Sequence, residues 1–281
     1  QKMAVEYLKD FYVKHKIISP LGGEDYYQEV PASYMNKLSR RGELKDSENV
    51  VAFIKGTEKP DEIIVISAHL DHVGMNKDGE VFNGADDDGS GTIAVLEIAE
   101  AFKKAVNDGN GPKRSILFLH VTGEEKGLLG SRYYTENPIF PIANTIANLN
   151  IDMIGRVDER HKGNPNYVYL IGSDKLSTSL HEVSEAMNTK YTSLELDYKY
   201  NDENDPNRFY YRSDHYNFAK LNVPIIFYFN GTHVDYHKET DTPDKINYEQ
   251  LETRTRLVFH TAWEVANREA TIVADKIEKA E

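Results

Sequence analysis

The sequence predicts an α/β fold: a three-layer sandwich in which helices cover both faces of a central, mostly parallel mixed sheet. Two observations carry this. Short apolar runs of strand length alternate along the chain with longer segments of helical periodicity. Runs such as 62–68 (Glu-Ile-Ile-Val-Ile-Ser-Ala) are also apolar on both faces, as expected of strands sandwiched between helices.

The opening residues set Met3, Tyr7, Leu8, Phe11 and Tyr12 at helical spacing, with Val5 and Val13 off that face, and predict a helix over 1–15. Segments 48–55 and 62–68 read as strands, and 73–85, rich in Gly and Asn, as a loop. From Gly91 to about Val106, the apolar set Ile93, Val95, Leu96, Ile98, Ala99 and Phe102 predicts an amphipathic helix. A buried strand at 115–121 and a helix opening at 128–134 follow, then strands at 145–151 and 167–171 and a helix at 175–187. A strand at 224–229 and a long helix at 248–268 close the pattern. With no internal repeat and no low-complexity linker, a single domain over 1–281 is expected. Segment 189–212 differs in character, holding Tyr191, Tyr198, Tyr200, Tyr210 and Tyr211 among Asn, Asp and Glu, with Pro206 near its end. It reads either as a lid or specificity insertion or as an edge hairpin with aromatic cross-strand pairs.

With 281 residues, 40% of them hydrophobic, the chain can bury a large core. No run approaches the roughly 18 apolar residues of a membrane span, so no membrane partner is expected. A formal charge of −13, from 33 Lys+Arg against 46 Asp+Glu, argues against nucleic acid as the main partner. There is no cysteine, so any metal must be held by His and carboxylate. The first residue is Gln rather than Met, from which a removed export signal and a secreted or periplasmic location are expected. Oligomeric state has no signature.

Metal-type side chains recur at strand ends. His69 follows the strand ending at Ala68, Glu124-Glu125 follow the strand ending near Val121, and Asp152 follows the strand ending at Ile151. In open α/β sheets, ligands bind just beyond the carboxyl ends of strands, so three unconnected segments deliver these groups to one rim. With Asp86-Asp87-Asp88 and Tyr236-His237 they supply two imidazoles, three carboxylate ligands and a spare glutamate, the set that two zinc ions and a general base require.

The ordered string His69-Leu-Asp71, Gly84-Ala-Asp-Asp-Asp-Gly-Ser-Gly91, Gly123-Glu-Glu-Lys-Gly-Leu-Leu-Gly-Ser131, Asn150-Ile-Asp-Met153, Ser213-Asp-His215 and Tyr236-His-Lys-Glu-Thr-Asp-Thr242 resembles the co-catalytic di-zinc aminopeptidases. These are secreted bacterial leucyl-type enzymes, relatives of glutamate carboxypeptidase and glutaminyl cyclase. The resemblance covers roughly 50–250 and implies a zinc-exopeptidase-like fold and two Zn2+. It implies that His69 and Asp152 hold one zinc, Glu125 and His237 the other, and that Asp87 bridges them through a segment whose Asp87-Asp88 peptide is cis. Asp71 would accept a hydrogen bond from His69 and fix its tautomer. Two zincs share and acidify a bridging water. Glu124 would then take that water's proton as general base, and Tyr236 would donate to the oxyanion. The substrates implied are peptides with a free N-terminus, the amine lying near the second metal and the acidic rim.

Each motif has a plainer rival. Asp86-x-Asp88-x-Ser90-Gly91-x-Ile93-x-x-x-Glu97 fits the calcium loop of an EF-hand, but 73–85 cannot supply the helix that must precede it. Glu124-Glu125 alone would be an exposed acidic pair. His237 competes with His233; the Tyr-His-x-x-x-Asp pattern favours His237, with Asp241 orienting it and His233 structural. Ser213-Asp214-His215 is a poor serine triad, because adjacent residues rarely converge as nucleophile, base and orienter; a loop and helix cap beside the metal shell fits better. His120, inside a strand, reads as a core histidine, and no role falls to His15, His72, His161, His181 or His260. Among functions, a glutaminyl-cyclase-like acyltransferase and a non-catalytic metal-binding protein of the same fold are the alternatives to an aminopeptidase.

Overall fold

Apolar side chains on both faces of the central strands decide the architecture. The computed structural model describes residues 1–39 and 43–277. In chain order the elements are α1 (Lys2–Lys14), β1 (Tyr27–Val30), α2 (Ala32–Leu38), β2 (Ser47–Ile54), β3 (Lys59–His69), β4 (Gly74–Met75), β5 (Val81–Phe82), α3 (Gly89–Asn107), β6 (Arg114–Val121), α4 (Leu129–Glu136), β7 (Thr145–Ile151), β8 (Tyr167–Ile171), α5 (Thr178–Met187), β9 (Glu195–Asp197), α6 (His215–Ala219), β10 (Ile225–Phe229) and α7 (Tyr248–Asn267). Eight strands form one mixed sheet in the order β1-β2-β6-β3-β7-β10-β8-β9. Its centre, β6-β3-β7-β10, is parallel throughout, while β2 and β8 run antiparallel to their central neighbours.

Alternate residues of each strand feed two cores. Ile64, Ile66, Ile116, Phe118 and Leu149 pack with α1, α3, α5 and α7, whereas Ile63, Val65, Leu117 and Leu119 pack with Tyr134 of α4 and Phe218 of α6. Each fully buried Ile, Leu or Phe contributes about 1.5–3 kcal/mol. Parallel strands require crossovers, and α3 between β3 and β6 supplies the first of these.

Several expectations are corrected. The buried face of α1 is Val5, Leu8 and Tyr12, while Met3 and Tyr7 are exposed; packing against β2 selects the stripe that includes Val5. Segment 189–212 is not a hairpin: β9 adds to the sheet edge parallel to β8, and short helical turns follow it. Residues 73–85 contain the two-stranded ribbon β4-β5. That ribbon precludes an EF-hand, and Gly89 already opens α3, so Ser90, Gly91, Ile93 and Glu97 are helical rather than part of a calcium loop.

His120 is fully buried and shares a 2.7 Å hydrogen bond between its Nε2 and the Tyr12 hydroxyl. Burial holds its imidazole down at about 3, against about 6.5 in an unfolded chain. The folded value is depressed, so the unfolded state takes the proton first. Stability is complete above about pH 6.5 and is lost as pH falls toward 3, at on the order of 1.4 kcal/mol per pH unit. Urea midpoints across this window should fall less steeply in His120→Gln; an unchanged slope would contradict this account.

Candidate metal centre

Four adjacent parallel strands open onto one rim, and each leads to a functional side chain. β3 ends at His69. β7 ends one residue before Asp152. After β6, Gly123 adopts φ +67°, and this left-handed residue turns the chain into a short helical turn over Glu124–Lys126. After β10, the loop at 230–242 carries His233, Tyr236 and His237. The aspartate triplet arrives from the segment that opens α3.

Two donor groups form around Asp87. On one side, His69 Nε2 lies 3.2 Å from Asp87 Oδ1 and 3.7 Å from Asp152 Oδ1. On the other, His237 Nε2 lies 3.0 Å from Asp87 Oδ2 and 3.0 Å from Glu125 Oε1. Asp87 thus turns one oxygen toward each group. His72, to which the sequence assigned no role, joins the second group: its Nδ1 is 3.1 Å from Glu125 Oε1 and 3.8 Å from Asp87 Oδ2. Its position three residues after His69 was the available signal. His233 lies outside both groups, with Nε2 3.2 Å from Asp86 Oδ2.

The surrounding polar groups hold this arrangement. Asp88 caps α3 through Gly91 N–H and accepts the backbone N–H groups of His69 and Met153, tying three ligand-bearing segments together. The Asp87-Asp88 peptide is cis. Asp86 accepts Gly155 N–H. A relay of donors runs through the sheet to Asp152: Asn148 donates to Ser67, Ser67 to Asn150, Asn150 to Ser213, and Ser213 to Asp152 Oδ2 at 2.6 Å. Ser213 therefore supports the Asp152 carboxylate, while His215 opens α6 and bonds the Tyr210 carbonyl. Ser213→Ala should weaken metal retention about 10–100-fold, read by competition with a chromophoric chelator. Unaltered retention would show that the relay does not orient Asp152.

Two supporting roles differ from expectation. His69 Nδ1 bonds the backbone carbonyl of Asp71 at 2.9 Å, whereas the Asp71 carboxylate lies 3.9 Å away and accepts Glu124 N–H instead. The carbonyl is closer because Asp71 follows His69 by only two residues, and its side chain is drawn to the turn carrying Glu124. Asp241 does not orient His237: its Oδ2 accepts the backbone N–H groups of Asp86 and Asp87, buried donors that need a partner.

Asp86, Asp87, Asp88, Glu125, Asp152, Asp214 and Asp241 are all buried, opposed mainly by imidazoles and Arg156. Burying ionised carboxylates costs several kcal/mol each unless they are compensated. Two clusters of oxygen and imidazole donors sharing one carboxylate therefore fit divalent cations, and with no cysteine in the chain any such ion would be held by nitrogen and oxygen donors. Glu124 belongs to neither donor group. Burial drives its carboxyl well above the usual range; His69 opposes this, and Asp214, Asp152 and Glu125 reinforce it. A raised proton affinity suits a carboxylate that must take up a proton as a base.

Beside the two donor groups lies a small cleft of about 30 Å³. Asp87, Glu124 and Asp152 line its polar end, and Met153, Phe209, Phe227 and Phe229 its apolar wall. Tyr236 also lines it, stacked on His237 with ring centroids 3.9 Å apart and its hydroxyl accepting from Arg212 at 3.4 Å.

Residues 49–262 match the family model described as Peptidase family M28. Leupeptin-inactivating enzyme 1 of Streptomyces exfoliatus is 27% identical over 236 residues, spanning 76% of this chain and 48% of that protein. A zinc aminopeptidase from Bacillus subtilis superposes with a TM-score of 0.63 at 24% identity, over 83% of this chain and 54% of that one. A leucine aminopeptidase precursor from Bacteroides thetaiotaomicron gives a TM-score of 0.69 at 19% identity, over 92% and 87%. The chain spans between 16% and 57% of the length of the curated relatives it matches.

Proposed function

The chain belongs to Peptidase family M28, and from that premise we propose that it is a zinc-dependent aminopeptidase removing N-terminal residues from peptides. His69, Asp87 and Asp152 would hold one zinc, and Asp87, Glu125 and His237 the other. The observation that carries this reading is the split of Asp87, whose Oδ1 is 3.2 Å from His69 and whose Oδ2 is 3.0 Å from His237. A carboxylate facing one imidazole with each oxygen is suited to bridge two cations.

Zinc, when bound, supplies Lewis-acid polarisation of the scissile carbonyl and lowers the pKa of water. The chain supplies the rest. Glu124 takes the proton of the attacking water and delivers it to the leaving amine. The Asp71 carboxylate anchors the Glu124 backbone N–H at 3.1 Å and so fixes the turn that presents the base. Tyr236, beside His237, donates to the oxygen on which charge develops. Phe209, Phe227 and Phe229 form one wall of the cleft beside Asp87, Glu124 and Asp152, and the surrounding carboxylates favour a free ammonium group.

A panel of aminoacyl, N-blocked and N-terminal glutaminyl substrates tests the proposal. Aminoacyl substrates alone should be hydrolysed, with activity abolished by chelator and restored by zinc. Cyclisation of the glutaminyl substrate without hydrolysis would replace this reading with acyl transfer, and inertness toward every substrate in the presence of zinc would contradict catalysis.

A further inference from the structure

Resting on the two-zinc reading above, we propose that His72 is a fourth protein ligand of the metal held by Asp87, Glu125 and His237. The two metal positions would then be unequal, one enclosed by four protein donors and the other held by His69, Asp87 and Asp152 alone.

The argument begins with burial. The His72 side chain is only 8% exposed; its Nδ1 faces Glu125 Oε1 at 3.1 Å, and its Nε2 has no hydrogen-bond partner among the described residues. A buried imidazole whose nitrogens are not fully satisfied is costly unless another partner takes a lone pair. His72 Nδ1 and His237 Nε2 both face Glu125 Oε1 and Asp87 Oδ2, with imidazole-to-carboxylate separations of 3.0 to 3.8 Å, and His72, Asp87 and Glu125 together form a group able to hold one ion. Zinc bonds of about 2.0–2.1 Å in a tetrahedron place ligand atoms roughly 3.3 Å apart, so the observed separations bracket those of a single coordination sphere. The two rings meet edge-on, with centroids 5.6 Å apart at 73°, and so do not stack on each other.

Backbone packing holds the ring there. Gly84 adopts φ +64°, and a Cβ at this position would lie 2.5 Å from His72 Cγ. The chain therefore keeps a bare backbone against the imidazole just before the aspartate triplet. Four protein donors characterise closed zinc sites and three leave a position open to water or substrate. The His72 position should accordingly retain its metal, and the His69 position should exchange it and offer the open coordination site.

Zinc affinity measured by chelator competition, with metal content by mass spectrometry, tests this in wild type, His72→Ala and His72→Gln. Wild type should lose two zincs in separated steps. Both variants should bind the more strongly retained zinc at least about 100-fold more weakly, since even loss of an outer-shell partner costs about 10–100-fold, with circular dichroism unchanged. Independently of any variant, the first equivalent of Co2+ added to the metal-stripped wild-type protein should give the intense visible band of four-coordinate cobalt. Two-zinc binding with unchanged affinities in both variants, or a weak six-coordinate spectrum for that first equivalent, overturns the role of His72 and leaves the function standing. A wild-type protein that binds no zinc overturns both.

Discussion

Glu124→Gln is expected to lower kcat by about 10²–10⁴-fold while leaving zinc content and Tm essentially unchanged. The side chain belongs to neither donor group, so its amide replacement removes no ligand. It lines the same cleft as Asp87 and Asp152, which places it where an attacking water would lose its proton. Glutamine keeps the shape and cannot accept that proton. Burial raises the Glu124 carboxyl well above the usual range, so neutralising it also removes an electrostatic burden, and the variant should be no less stable than wild type. Single-turnover rates at saturating substrate isolate the chemical step. Loss of zinc from this variant would instead make Glu124 a ligand, and unchanged turnover would remove it from the mechanism.

Asp87→Asn should have the largest effect on metal binding. Asp87 is the residue shared by both donor groups, so its loss weakens both sites together. Asp87 sits low in its titration: burial opposes ionisation, but His237, His69 and His72 outweigh it. In wild type, zinc at a thousandfold excess over its Kd should add about 4 kcal/mol per site to stability. That increment should largely vanish in Asp87→Asn, and activity with it. Without zinc the amide loses the favourable interactions with His237, His69 and His72 that keep Asp87 ionised, so the metal-stripped variant should unfold at or below the wild-type midpoint. Thermal melts with and without zinc read both effects, and an undiminished zinc-induced shift would show that Asp87 does not bridge.

The central sheet was legible because burial on both faces leaves an unbroken apolar run, as in Ile63 to Ile66, and because α3 and α7 are long enough for helical periodicity to be unambiguous. Short edge elements were not. β1 and β9 have four and three residues, too few to show alternation, and α6 spans just over one turn. The face of α1 was misjudged because Met3 and Tyr7 are as apolar as Val5 and Leu8, and only the position of β2 chooses between the stripes. At the site, residues directly after strands were readable since strand ends converge on one rim. His72 was missed because a turn of three residues returns its side chain to the rim where His69 points, and local sequence does not report that return. The Asn148-Ser67-Asn150-Ser213 relay joins positions up to 146 residues apart (67 to 213) and depends on strand register, with Ser67 paired to Asn150. The Asp241 contact with the Asp86 and Asp87 amides likewise spans elements distant in sequence.

The two-metal bridge is tested most directly by anomalous diffraction at the zinc absorption edge from crystals grown with zinc. Two peaks about 3.5–4 Å apart, flanking the Asp87 carboxylate with His69 and Asp152 on one side and Glu125 and His237 on the other, are the expected result. A single peak remote from Asp87, or two peaks that Asp87 does not join, would contradict the account.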